Sequence, residues 1–281
     1  MSVYLSENAY GKNAINISKI IRHNDYHEFR QLSVNVSLQG DFETVYTEGN
    51  NEKVVATDTQ KNTVYALAKE NFTGSAEAFG ILLANFFAAK NAQVSQVTIE
   101  LTEHAWNRIV SDGAAHPHAY ISGGAEKRVA TIVQNKEGVT VTAGVKELLI
   151  LKTTDSGFEN FIRDEYTTLK ETGDRIFSTK CEAVWTYEKN DIDFDAQYKA
   201  IRNILLKTFA FHHSLSVQQT LYAMGEAVLN ENKLVKEISL IMPNKHHILF
   251  NLEQFGMENK NDIFIATDEP YGYITGTLRR R

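Results

Sequence analysis

Apolar residues recur along the chain at two spacings, and the switch between them happens twice in the same order. Leu32, Val34, Val36 and Leu38 alternate with polar residues, the period of a strand with one buried face, and Ile15 to Arg22 reads as the strand before it. Two helices are predicted next. The first opens at Thr57-Asp58, where short polar side chains can cap free backbone N–H groups, and carries Val64, Leu67 and Ala68. The second starts near Ser75 and sets Phe79, Leu82, Leu83, Phe86 and Phe87 on one apolar face. Strands resume at Val97, Ile99 and Leu101 and again from Lys127 to Val133.

The second half repeats the pattern. Strands are expected from Val139 to Leu151 and from Cys181 to Tyr187, and a helix then carries Phe194, Tyr198, Ile201, Leu205 and Phe209. Another helix starts at Ser216 and aligns Val217, Leu221, Met224 and Val228. Ile238, Leu240 and Met242, then Ile248 and Phe250, predict two closing strands. Each half is thus strand, strand, helix, helix, strand, strand, which gives an α+β class with antiparallel sheets and helices on one face. The halves divide into residues 1–136 and 137–281, and no Pro/Gly/Ser-rich linker separates them. The uncovered sheet face of each half must meet solvent or a partner.

Composition narrows the class. With 43% hydrophobic and 23% charged residues, a chain of 281 residues can bury a substantial core. A formal net charge of −6 argues against general nucleic-acid binding, which needs a basic face. One cysteine, Cys181, leaves no intrachain disulfide and suits a reducing compartment; it reads as a small buried strand residue. Met1 to Gly11 lacks the apolar core of a signal peptide, and no apolar run approaches the ~20 residues that span a bilayer. The tail Leu278-Arg279-Arg280-Arg281 reads as a solvated end without a Ser-Lys-Leu peroxisomal address. A cytoplasmic protein is expected, with neither nucleic acid nor membrane as partner.

Between Leu151 and Arg175 the chain is polar and poor in core formers, yet it holds one arginine near Phe158 and a second in Asp174-Arg175. The adjacent pairs His212-His213 and His246-His247, and His116 with His118, stand at no zinc-like spacing with Cys or carboxylates, so no metal is expected. Gly-rich phosphate loops, dinucleotide fingerprints and a nucleophile-elbow serine are absent; Ser122-Gly123-Gly124 reads as a turn.

Tyr10-Gly11-Lys12, Val55-Ala56-Thr57-Asp58-Thr59, the 151–175 segment, Ser216-Val217-Gln218 and Asn244-Lys245-His246 together resemble the urate oxidase (uricase) family over nearly the whole chain. The resemblance implies two tandem tunnelling-fold domains that assemble into a barrel or tunnel. It also implies oxidation of urate by O2 and water to 5-hydroxyisourate and hydrogen peroxide, with no metal or organic cofactor. By the same resemblance Lys12, Thr57 and His246 are catalytic. Thr57, Asp58, Phe158, Arg175, Val217, Gln218 and Asn244 bind substrate or oxygen, and the active unit is a homotetramer with sites shared between chains.

The chemistry suits those roles. Urate is a flat anion with donors and acceptors around its rim. A guanidinium fork at Arg175 matches two in-plane acceptors, Gln218 offers both an acceptor and donors, and Phe158 can stack on the ring. Helix starts at Thr57-Asp58 and Ser216 present backbone N–H groups and a favourable dipole to an anion. Gly173 and Glu159 depart from the family pattern beside Arg175 and Phe158. Two other readings stay open: a tunnelling-fold purine or pterin enzyme such as a cyclohydrolase, and a non-catalytic purine-binding paralogue.

Overall fold

Alternation and amphipathic periodicity in the chain resolve into eleven strands and five α-helices among residues 3–280, which the computed structural model describes; Met1, Ser2 and Arg281 lie outside the described residues. In order these are β1 (Tyr10–Arg22), β2 (His27–Gly40), α1 (Glu43–Thr47), α2 (Thr57–Asn71), α3 (Ala76–Lys90), β3 (Val94–Ser111) and β4 (Ala114–Asn135). There follow β5 (Gly138–Lys152), β6 (Phe177–Tyr187), α4 (Phe194–Phe211), α5 (Val217–Glu231), β7 (Val235–Ile241), β8 (Asn244–Lys245), β9 (His247–Leu249), β10 (Phe264–Ala266) and β11 (Thr275–Arg279). No helix among the described residues is long and apolar enough to cross a membrane.

Two compact units emerge: residues up to Gly144 with Thr186–Tyr198, and Val145–Trp185 with Lys199 onward. In the first, β1, β2, β3 and β4 form an antiparallel sheet in sequence order. Ile15, Ile17, Leu32, Val34, Val36, Leu38, Val97, Ile99, Leu101, Ala130 and Ile132 are all buried, as are Val64, Phe79, Leu83 and Phe87 from α2 and α3. Each of these side chains apart from Ala130 contributes about 1.5–3 kcal/mol on leaving water. The opposite face is polar. Ser33 donates to Asn16 Oδ1 at 2.7 Å, and Asn35 Nδ2 donates to Glu100 Oε2 at 3.0 Å.

In the second unit the strand order runs β5, β6, β7, β11. Phe177, Cys181 and Ala183 alternate on the buried face of β6, with Ile201, Leu205 and Phe209 of α4 and Leu221, Met224 and Val228 of α5 also buried. Burial pushes the Cys181 thiol up to about 12, as suits a core residue rather than a nucleophile. The repeat is visible at two helix glycines. A Cβ at Gly80 of α3 would lie 2.5 Å from both Leu101 of β3 and Ile132 of β4; one at Gly225 of α5 would lie 2.8 Å from Leu278 of β11 and 3.3 Å from Leu240 of β7. In each unit a helix glycine lets the helix settle onto two neighbouring strands.

Several elements differ from the sequence reading. The closing strand of the second half is β11, whose Leu278 pairs with Ile238; Ile248 instead sits in β9, pairs with Ile265 of β10 and is exposed. The tail is therefore not simply solvated. Arg279 lies in the sheet, and Arg280 donates to the carbonyls of Leu229, Asn232 and Val235 at 2.8, 3.1 and 3.1 Å, closing the C-terminal end of α5. Ser122-Gly123-Gly124 is not a turn but part of β4 at a bulge, where the register jumps from His104↔Lys127 to Trp106↔Ser122.

Candidate active site

In the first unit, Tyr10-Gly11-Lys12 opens β1, and the strand bulges immediately after Lys12: the pairing moves from Lys12↔Val36 to Ile15↔Val34. Ala14 takes φ +55 there, with its N–H donating to Asn35 Oδ1 at 2.8 Å. A bulge re-aims side chains, and here it leaves Lys12 half-buried at the sheet end. The Val55-Ala56-Thr57 segment is fixed to this strand by Tyr10, whose hydroxyl accepts the Val55 N–H at 2.8 Å. Buried Gln60 donates to the Val55 carbonyl at 3.0 Å, and Gln93 donates to the Lys53 carbonyl at 2.7 Å.

These anchors settle how α2 begins. Its N-cap is Ala56, with no side-chain cap hydrogen bond, and Gln60 N–H makes the first turn bond to Ala56 O at 3.0 Å. The expected capping by Thr57 and Asp58 does not occur. Both already lie inside the helix, and the Asp58 carboxylate turns instead to Lys61 and to Asn62 Nδ2 at 2.9 Å. The Lys61 ammonium holds this exposed carboxyl below its usual range, with lesser help from Asn62 and from the charge of Lys12. Lys12, Thr57 and Asp58 thus come together in one unit, beside a helix start whose leading N–H groups are left open.

In the second unit, Phe158 sits at the mouth of a long loop between β5 and β6. Its N–H donates to Thr172 O at 2.7 Å and Thr172 N–H donates back to Phe158 O at 3.1 Å, so the loop closes on itself just before Asp174-Arg175. Thr154 donates to both Asp174 carboxylate oxygens at 3.1 and 3.0 Å. The closure brings the Arg175 guanidinium 5.3 Å from the Phe158 ring centroid. Phe161 stacks on the same ring at 5.0 Å and 12°. Arg175 Nε is buried with no hydrogen-bond partner, and burial pushes the guanidinium down from its ordinary value. A half-buried cationic fork with an unspent Nε donor, beside an aromatic face, suits a planar anion.

The start of α5 is joined to this loop. Ser216 is its N-cap and accepts the Gln219 N–H at 3.1 Å, while Gln219 Oε1 accepts the Leu215 N–H at 2.8 Å. Val217 is buried and Gln218 exposed at the first positions of the helix. Asn244 follows on β8, which pairs with the start of β6 through Ser178↔Lys245 and Thr179↔Asn244. Arg175 lies two residues before β6, so Asn244 and half-buried His246 lie at the same strand end as the arginine. Asn244 N–H donates to Gly272 O at 2.8 Å, and His246 O accepts the Thr267 N–H at 2.9 Å.

Sequence reasoning had Tyr10 in a motif without its anchoring role, and missed the other residues that hold these groups in place: Gln60 in the first unit, Thr172, Ser214 and Gln219 in the second. Only Gln219 carried a local signal, since Ser216-x-x-Gln219 is the spacing of a capping box. Among the described residues no group of three or more His, Cys, Asp and Glu side chains is arranged to hold a metal ion.

A family model described as uricase matches residues 8–133 and 141–275. A uricase from Arthrobacter globiformis is 42% identical over 278 residues, covering 99% of this chain and 90% of its own. One from Dictyostelium discoideum is 37% identical over 279 residues, covering 98% and 97%. The crystal structure of the Arthrobacter globiformis uricase superposes with a TM-score of 0.95 over 100% of this chain and 96% of that one.

Proposed function

Because the chain belongs to the uricase family, with the α+β fold of two tandem repeats in that family, we propose that it oxidises urate with O2 and water to 5-hydroxyisourate and hydrogen peroxide, without metal or organic cofactor. The observation that carries this reading is the half-buried Arg175 guanidinium, its Nε buried and unpartnered, 5.3 Å from the centre of the Phe158 ring. Few ligands satisfy such a pair better than a flat, anionic, hydrogen-bonding ring.

In the proposed mechanism Arg175 and Gln218 grip opposite parts of the purine rim, and Phe158 stacks on its face. The backbone N–H groups at Val217 and Asp58 bind its edges, as the open first turns of α5 and α2 allow. Lys12 and Thr57 remove a proton from the substrate. The resulting dianion passes electrons to O2 held at Asn244. Water then adds to the oxidised purine with His246 relaying its proton. Urate loses two electrons and two protons to O2, which leaves as hydrogen peroxide, and water supplies the new hydroxyl.

The same reading has one repeat end and the other begin at 136/137, between the two stretches that match the family. It also has the uncovered polar sheet faces packing in a homotetramer, with Thr57 of one chain serving the Arg175 pocket of another. The test is urate disappearance with matching peroxide release in exhaustively chelated buffer. Stoichiometric turnover is the expected result. Urate binding without turnover, or turnover that the chelator abolishes, would overturn the proposal.

A further inference from the structure

Ser214 does not belong to the Ser216-Val217-Gln218 motif, yet it is completely buried and all its polar groups are engaged within one small network. Its N–H donates to Asp155 O at 2.8 Å, and its carbonyl accepts the Gly157 N–H at 2.8 Å, so it pairs like a strand with the segment that leads into Phe158. Its hydroxyl accepts from Thr220 Oγ1 at 2.8 Å and donates to Ser216 O at 3.1 Å. Thr220, also completely buried, returns its own N–H to the same Ser216 carbonyl at 3.2 Å. A closed ring of hydrogen bonds therefore joins Thr220, Ser214 and Ser216 at the first turn of α5, and the backbone of Ser214 ties that ring to the Phe158 loop.

We infer that Ser214 and Thr220 are positioning residues: their hydroxyl relay makes the aromatic face of Phe158 and the open N-terminus of α5 one rigid body. The inference rests on the urate reading above and deepens it. Phe158 would stack on the substrate while Val217 and Gln218 hold its edge, so the angle between ring plane and helix axis sets the grip. The backbone pairing at Ser214 alone fixes one point of contact. The hydroxyl fixes the rotation about it, because it ties the Ser214 side chain to the carbonyl that Thr220 N–H also holds. A small error in that rotation would tilt the aromatic plane away from the donors, and ligand groups held by two elements lose binding when their mutual geometry loosens.

The hydroxyls reach no reacting atom, so their loss acts on binding more than on chemistry. Thr220→Val keeps the shape and removes the donor, whereas Thr220→Ser keeps the donor and removes the methyl group. Urate affinity is measured by anaerobic titration, where no turnover occurs, alongside kcat and KM in air. Thr220→Val is expected to raise both the anaerobic Kd and KM by about five- to tenfold, with kcat within about twofold of the parent. Thr220→Ser is expected to bind within about twofold of the parent. If Thr220→Val does not accumulate folded, Ser214→Ala is measured with the same expectations. Parent-like affinity in the hydroxyl-deleted variant overturns the inference, as does equal damage from Thr220→Ser, which would mean that packing matters and the relay does not. Failure of the unaltered protein to bind urate strikes the proposed function instead, so the two failures are told apart.

Discussion

Two helix starts face the same proposed task and are built in opposite ways. At α5 the cap is local: Ser216 accepts the Gln219 N–H and Gln219 reaches back to Leu215. At α2 the cap position is Ala56, which offers no side-chain acceptor, and the approach is fixed from a distance by Tyr10 and Gln93 and from inside the helix by Gln60. A capped start fixes its own geometry but commits one of its free N–H groups. An uncapped start keeps every leading N–H available and relies on its neighbours for position. If both ends bind an anion as proposed, the difference separates two demands on such a helix end, order and open donors.

That contrast can be broken most severely at Lys12 of β1 and Thr57 of α2, the side chains proposed to take the substrate proton. Lys12→Ala or Thr57→Ala is expected to lower kcat roughly a hundredfold or more, the usual scale for losing a general base, while anaerobic urate binding changes less. Parent-like kcat in either variant would remove that residue from proton transfer. On the α5 side, Arg175→Lys keeps the charge and loses the planar fork, so urate binding should weaken by roughly 1.5–3 kcal/mol. Gln218→Ala should act in the same direction. Unchanged KM in both would place the grip elsewhere.

Remote support at α2 is tested by Tyr10→Phe. Deleting the acceptor leaves the Val55 N–H unpaired, which costs about 1 kcal/mol and should lower kcat about fivefold, with Lys12 and Thr57 both intact. A variant with parent activity would show that Gln60 and Gln93 suffice. The smallest effects concern the caps themselves. Ser216→Ala should destabilise the fold by about 1 kcal/mol, read as a lower melting temperature. Ala56→Ser should add about 0.5–1 kcal/mol of stability while raising the KM for urate, because the new hydroxyl competes for the N–H of Asp58 or Thr59. A gain in stability without loss of affinity would show that the open N–H groups of α2 are not used.

Legibility in the sequence followed burial. The alternation in β2 and β6 and the apolar faces of α3, α4 and α5 are direct records of one-sided burial, and those elements stand where the spacing put them. The outer halves of β3 and β4 were not read, because from Asn107 to Ser111 every residue is exposed and no alternation is imposed. A signal was nonetheless present. Asp112 and Gly113, at φ +53 and +79, form the two-residue turn that an Asp-Gly pair favours. The final strand β11 was hidden for another reason: three of its five residues, Thr275, Thr277 and Arg279, are polar or charged, and Leu278 is the one apolar side chain that marks the side facing α5.

In the candidate site, the proposed residues lie in short motifs that can be quoted from the sequence, whereas the contacts that position them leave no such mark. Tyr10 meets Val55 across 45 residues through a side chain and a backbone N–H, and no local periodicity encodes such a contact. Ser214 is joined to Asp155 by backbone atoms alone, so residue identity there carries no trace of the pairing. The start of α2 moved by one residue for a physical reason. Thr57 and Asp58 are good caps in isolation, but the anchoring of Val55 makes Ala56 the last extended residue and draws both into the helix.

The proposed function has the two helix starts serve one site assembled between chains. The direct measurement mixes two inactive variants, Thr57→Ala and Arg175→Ala, which are dissociated together and reassembled. Mixed oligomers then pair an intact α2 start from one chain with an intact Arg175 pocket from another, and urate oxidation is predicted to return. Mixed oligomers shown to have formed, yet with no activity above that of the separate variants, would contradict the account.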